Sequence, residues 1–196
     1  MKKKEKICLV YIDDDREEAV SHYLAEEYVN ELCDIEYLEE DFIPGNGYEG
    51  LLKKETVKAA NVIIIDSKLF ENDSIKYSGK FSGEEFRMVL RRVFPYIEVL
   101  VISQNGESEE YDIIPKYRSG SASTADEHYA HVLKDKVDEA IRRVVTFRNI
   151  SKKLENNKEI DKVLVERTVG SLRGIEEYQH LSKSDIDKLI ETFEHI

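Results

Sequence analysis

A chain of 196 residues, 36% of them charged and with a formal net charge of −12, can bury one sizeable core with room for an appendage. Its 41 acidic side chains against 29 basic ones repel phosphates, and neither the part up to Ile150 nor the part after it is basic, so no nucleic-acid partner is expected. The apolar run "ICLVYI" after "MKKKEK" is too short for a signal sequence or a membrane span, and no membrane partner is expected either.

In chain order, Ile7 to Ile12 are almost all apolar, the pattern of a strand buried on both faces. From about Arg16 to Glu31, Ala19, Val20, Tyr23, Leu24 and Tyr28 mark one face of a helix. "DIEYLE" alternates as a short strand, "PGNG" is a turn, and "YEGLLKKETVKAA" reads as one helix. "VIII" is a buried strand ending in Asp66, and the polar stretch "SKLFENDSIKYSGKFS" is a long loop. Gly83 to Phe94 is helical, with Phe86, Val89, Leu90 and Val93 on one side; "EVLVIS" and "YDIIPK" are further strands. Five strands alternating with helices predict an α/β fold, a doubly wound parallel sheet with helices on both faces.

After Gly120 one long helix is expected through Glu155, with Ser123, Thr124 or Asp126 as its cap. Leu133, Val137, Ala140, Val144, Phe147 and Leu154 follow steps of four and three, broken only by Ser151, and predict a coiled-coil-like seam running beyond the domain. Two more helices are expected from Asn157 onward. Cys8 and Cys33 lack metal-ligand spacing and read as reduced core thiols, in keeping with a cytoplasmic setting. His128, His131 and His180 read as surface residues, and the 11 scattered tyrosines as ordinary half-buried positions.

Ligands of open α/β sheets gather at the carboxyl ends of the strands. Asp13-Asp14, Asp66, Ser103 and Lys116 all fall just after predicted strands. Singly, each aspartate reads as a cap or turn residue and the lysine as a surface charge. Together, three carboxylates at adjacent strand ends suit a hard divalent cation such as Mg2+. A hydroxyl and an ammonium opposite them suit an anion, so the set is a site for a phosphoryl group on a carboxylate. Asp15 is left to start the first helix.

This arrangement resembles the receiver domain of two-component response regulators, over about residues 5 to 147. The matching stretches are "CLVYIDDD", "NVIIIDSKL", "VLVISQ" and "YDIIPK", together with "SGEEFRMVLRRVFPYIEVLVIS", which looks like the family's third helix and fourth strand. The resemblance implies a flavodoxin-like sheet in a receiver-like domain, residues 1–147, with an α-helical extension at 148–196. It implies that Asp66 takes a phosphoryl group from a histidine kinase or small phosphodonor. Asp13, Asp14, Asp66 and the backbone carbonyl of Lys68 would hold Mg2+, while Ser103 and Lys116 would meet the phosphoryl oxygens. No enzymatic turnover is implied beyond phosphorylation and dephosphorylation of the domain itself.

The chain departs from the family pattern at several places. Gln104 follows the hydroxyl residue where a small one is usual, Phe70 replaces a common proline, and Pro115 precedes the lysine instead of following it. Ile113 stands where an aromatic switch residue is usual, and "QNGESEEYD" is too short and polar for a full fourth helix, which is expected to be shortened or missing. Output is therefore expected through the last long helix and the tail, to a downstream protein partner or to a second copy in a homodimer. Two other readings stay open: a phosphorylation-independent pseudo-receiver acting as an interaction module, and a Mg2+-dependent phosphohydrolase using the Asp13-x-Asp15 pair.

Overall fold

The computed structural model of the chain describes residues 4–42, 47–69, 83–104, 112–156 and 161–172. Strands β1 (Glu5–Asp13), β2 (Cys33–Asp41), β3 (Val62–Asp66), β4 (Glu98–Ser103) and β5 (Ile113–Pro115) form one all-parallel sheet in the order β2-β1-β3-β4-β5. That order is consistent with a flavodoxin-like fold. Every residue of β3 and β4 is buried, which explains their near-continuous apolar sequence: both faces of the inner strands are covered. β2 lies at the edge and alternates between covered and exposed residues over nine positions, longer than "DIEYLE" alone.

One face carries Leu9, Tyr11, Ile64, Leu100 and Ile114, and the opposite face Val10, Ile12, Ile63, Val99 and Val101. The first face is closed by α1 (Glu18–His22) and α5 (Ala125–Glu155). The second is closed by α2 (Gly47–Leu52), α3 (Glu55–Ala59) and α4 (Gly83–Val93), which contribute Leu51, Val57, Phe86 and Leu90.

Two helices differ from expectation. The first is shorter: α1 runs into a π-helical turn, Tyr23–Glu27, closed by the Tyr28 amide on the Tyr23 carbonyl at 2.8 Å. This wide turn keeps Tyr23, Leu24 and Tyr28 all buried in the same cluster. The stretch expected as one helix after the "PGNG" turn is broken at Lys54, which is extended. The break lets the Lys54 ammonium (2.8 Å) and the Thr56 hydroxyl (2.5 Å) both reach the Glu40 carboxylate.

The long helix starts at Thr124 with a complete capping box: its hydroxyl accepts from the Glu127 amide, and the Glu127 carboxylate accepts from the Thr124 amide. Leu133, Val137, Ala140 and Val144 are core residues of the sheet face, so the first half of the expected seam is spent inside the domain. α5 runs unbroken past Phe147, whose ring meets Tyr96 at 5.3 Å. Helix α6 (Lys162–Leu172) packs against α5, with Val165, Val169 and Ser151 buried. Ser151, the break in the apolar pattern, is thus a buried position filled by a small side chain.

Arg148 ties α5 to the amino-terminal edge of the sheet, donating to the Lys6 carbonyl (2.8 Å) and Asn61 Oδ1 (3.0 Å). Both cysteines are free thiols. Phe70, the segment 105–111 where a shortened fourth helix was expected, and the last expected helix with His180 lie outside the described residues. Among the described residues, no helix is long and apolar enough to cross a membrane.

Candidate functional site

Asp13, Asp66 and Ser103 are the last residues of β1, β3 and β4, and Lys116 directly follows β5. The register pairs Ile12 with Ile65 and Asp66 with Ile102, so the strand ends finish level with one another. β1 and β3 flank the point where the strand order reverses, the place where ligands of such sheets bind. The chain thus brings two of its acids to the crevice that the topology opens.

Strand alternation puts Asp13 on the face of Tyr11, Asp66 on that of Ile64, and Lys116 on that of Ile114, all one face. Lys116 Nζ lies 2.7 Å from Asp66 Oδ1, and the Lys68 amide donates to Asp66 Oδ2 at 2.7 Å. The Tyr11 hydroxyl donates to Asp13 Oδ2 at 2.5 Å, and the Asp15 amide to Asp13 Oδ1 at 3.1 Å. Asp13 and Asp66 are each only 3% exposed.

Burial pushes the Asp13 carboxyl up to about 6; the Tyr11 and Asp15 hydrogen bonds work against this, and the nearby Asp66 charge works with it. Burial alone would depress the Lys116 ammonium, but its hydrogen bond and charge contact with Asp66 prevail and hold it above the usual lysine range. Among the described residues the cluster is therefore an acidic pair with one cation, short of positive charge.

The other expected members stand differently. Asp14 is half-buried. Asp15 is exposed and does not cap the first helix: α1 begins at Glu18, and Glu17 in the N-cap position makes no side-chain cap. Ser103 is buried and continues the row of Val99 and Val101, on the other face of the sheet from Asp66. Its backbone enters the site, since the Ser103 carbonyl accepts from the Lys116 amide at 2.9 Å. Lys68 enters through its amide. Gly83 begins α4 hard against the end of β3, its amide on the Ser67 carbonyl at 2.9 Å; a Cβ there would stand 2.5 Å from the Asp66 carbonyl oxygen.

Among the described residues no group of three or more His, Cys, Asp or Glu is gathered for a metal ion. The donor chemistry of the pair nonetheless fits Mg2+: both groups are carboxylates, and each of their four oxygens spends one lone pair on a protein donor and has a second direction. Mg2+ commonly takes one or two protein carboxylates and keeps several waters.

Sequence reasoning missed a group of residues behind the pair. Tyr11 and Tyr129 are fully buried rather than half-buried. The Glu17 amide donates to the Tyr11 hydroxyl (3.3 Å), and the Tyr129 hydroxyl donates to Glu17 Oε2 (3.0 Å) while accepting from the Tyr117 amide (3.1 Å). His128 is half-buried rather than a surface residue, its ring beside Tyr117 and Tyr129 and its Nε2 2.8 Å from the Pro115 carbonyl oxygen. Tyr11 was detectable, since it lies two residues before Asp13 on one strand face; Tyr129 carries no local signal.

Fold and site together define an α/β protein with a five-stranded parallel sheet and a buried acid–lysine cluster at its carboxyl edge. No protein-family model and no curated protein matches the chain.

Proposed function

We propose that the chain is an atypical receiver domain that accepts a phosphoryl group on Asp66 in the presence of Mg2+ and signals through α5 and the helical tail to a protein partner. The observation that carries this reading is the contact of Lys116 with Asp66, with Asp13 alongside, at the switch point of a β2-β1-β3-β4-β5 sheet. A flavodoxin-like, doubly wound receiver unit over residues 1–147 and an extension over 148–196 belong to the same proposal, although α5 runs through that boundary.

In this reading an Asp66 oxygen attacks the phosphorus of a phosphohistidine or small acyl phosphate. The bond to the donor breaks, its electron pair leaves with the donor, and an acyl phosphate forms. Lys116 turns from the carboxylate to the phosphoryl oxygens, and the Lys68 amide keeps Asp66 in place. Mg2+, held by Asp13, Asp14, Asp66 and the Lys68 carbonyl, would supply the positive charge that the cluster lacks. Ser103 would need its hydroxyl brought round to reach the phosphoryl group.

Mass spectrometry after incubation with acetyl phosphate and Mg2+ tests the reading. A phosphoryl adduct on Asp66, lost in Asp66→Asn, supports it; absence of both the adduct and Mg2+ affinity sinks it. A second reading, a phosphorylation-independent interaction module, is favoured by one feature: every oxygen of Asp13 and Asp66 already meets a protein donor.

A further inference from the structure

The two ends of the acid pair are joined behind the site by one chain of hydrogen bonds. From Asp13 it runs through the Tyr11 hydroxyl to the Glu17 amide, and from the Glu17 carboxylate to the Tyr129 hydroxyl. The same hydroxyl accepts from the amide of Tyr117, the neighbour of Lys116, which pairs with Asp66. One fully buried side chain near the start of α5 therefore stands between both carboxylates.

We infer that Tyr11, Glu17 and Tyr129 form a positioning relay through which a cation held by Asp13 and Asp66 is felt at the first turns of α5. The inference rests on the proposed reading of the site and adds the route by which its occupancy leaves it. Both hydroxyls are fully buried and each donates to a carboxylate, Tyr11 to Asp13 and Tyr129 to Glu17. A buried donor cannot turn to water when its partner weakens, so it must keep or replace that partner.

A cation drawing on the Asp13 oxygens would weaken the short Tyr11 bond, and a hydroxyl that donates less also accepts less, so its hold on the Glu17 amide would loosen with it. Glu17 carries the carboxylate that Tyr129 donates to, so the shift passes to α5. At the other end, a Lys116 displaced from Asp66 moves the adjoining Tyr117 amide, which sits on the same Tyr129 oxygen. Both displacements converge on one hydroxyl, and α5 carries them to α6, which packs on it. Tyr28 offers a control, since it too joins α5, through Asp138 at 2.6 Å, but has no described bond to the relay.

Hydrogen exchange of the full chain with and without Mg2+, beside calorimetric titration of Mg2+, tests the relay. In the unmodified chain Mg2+ is expected to speed exchange in the first turns of α5 by about three- to tenfold, because the bonds that hold Tyr129 loosen. In Tyr129→Phe, Mg2+ still binds and still slows exchange around Asp13, but the change in α5 is lost; in Tyr28→Phe it is kept. A wild-type response of α5 in Tyr129→Phe overturns the relay, as does Mg2+ binding to the unmodified chain without a response in α5. Failure of the unmodified chain to bind Mg2+ overturns the reading of the site and the relay together.

Discussion

Lys116 Nζ meets Asp66 Oδ1 at 2.7 Å although the two residues are 50 positions apart, on strand ends separated by β4. Asp66 is nearly enclosed and Lys116 only partly exposed, so each is the main electrostatic support of the other. Lys116→Ala leaves a buried carboxylate without its cation and is expected to destabilise the fold by about 2–3 kcal/mol. Asp66→Asn combined with Lys116→Met removes both charges and should recover most of that loss. Urea denaturation of the two variants measures the difference.

Asp13 gives the fold a pH dependence of defined sign. Its carboxyl titrates near 6 in the folded chain, against an ordinary value of 3.8. Between those values the folded state binds more protons than the unfolded state, so this group's contribution to stability falls as pH rises from about 4 to about 6 and is flat above. The full effect is at most about 3 kcal/mol. Asp13→Asn should remove this slope and melt higher than the unmodified chain above about pH 6, with the gap closing near pH 4. Thermal melts across that range, without divalent cations, check it.

Gly83 has no room for a side chain. A Cβ would meet the Asp66 carbonyl oxygen at 2.5 Å and Ser67 Cα at 2.9 Å, both backbone atoms that cannot swing aside. Gly83→Ala must push α4 away from the end of β3, at a cost of about 2–3 kcal/mol. The same movement disturbs the turn that brings the Lys68 amide to Asp66, so under the proposed function Mg2+ affinity should fall with stability. Chemical denaturation and calorimetric titration of that variant read both.

Thr124 closes the amino end of α5 through its capping box with Glu127. Thr124→Ala should cost about 1 kcal/mol and fray the first turn, the turn that leads into Tyr129. Faster amide exchange confined to the start of α5 is the expected result. Glu127→Ala should repeat it more weakly.

The inner strands could be read from sequence because burial on both faces forces a continuous apolar run, as in "VIII" and "EVLVIS". The cap of the long helix was legible only to within three neighbouring candidates, Ser123, Thr124 and Asp126, and the structure takes Thr124. The break at Lys54 was not: nothing in "LLKKETVK" forbids a helix, and the cause is Glu40 on another strand. The π-helical turn at Tyr23 was hidden for the same reason, since it satisfies packing against α5 rather than any local preference. In the site, Asp13 and Asp66 stood out by following apolar strands, whereas Tyr129 did not, its partner Glu17 being 112 positions away.

By itself the sequence determined the alternation of strands and helices and put acids at the ends of β1 and β3, because period and burial are written locally. Only the tertiary structure decided that the long helix spends Leu133 to Val144 inside the core and that Ser151 is buried. It alone divided the three consecutive aspartates, enclosing Asp13, leaving Asp14 half-covered and Asp15 exposed. The reason is physical: a carboxylate's neighbours are set by how strands stack across the sheet, and those neighbours, Tyr11 for Asp13 and Lys116 for Asp66, decide what each acid can do.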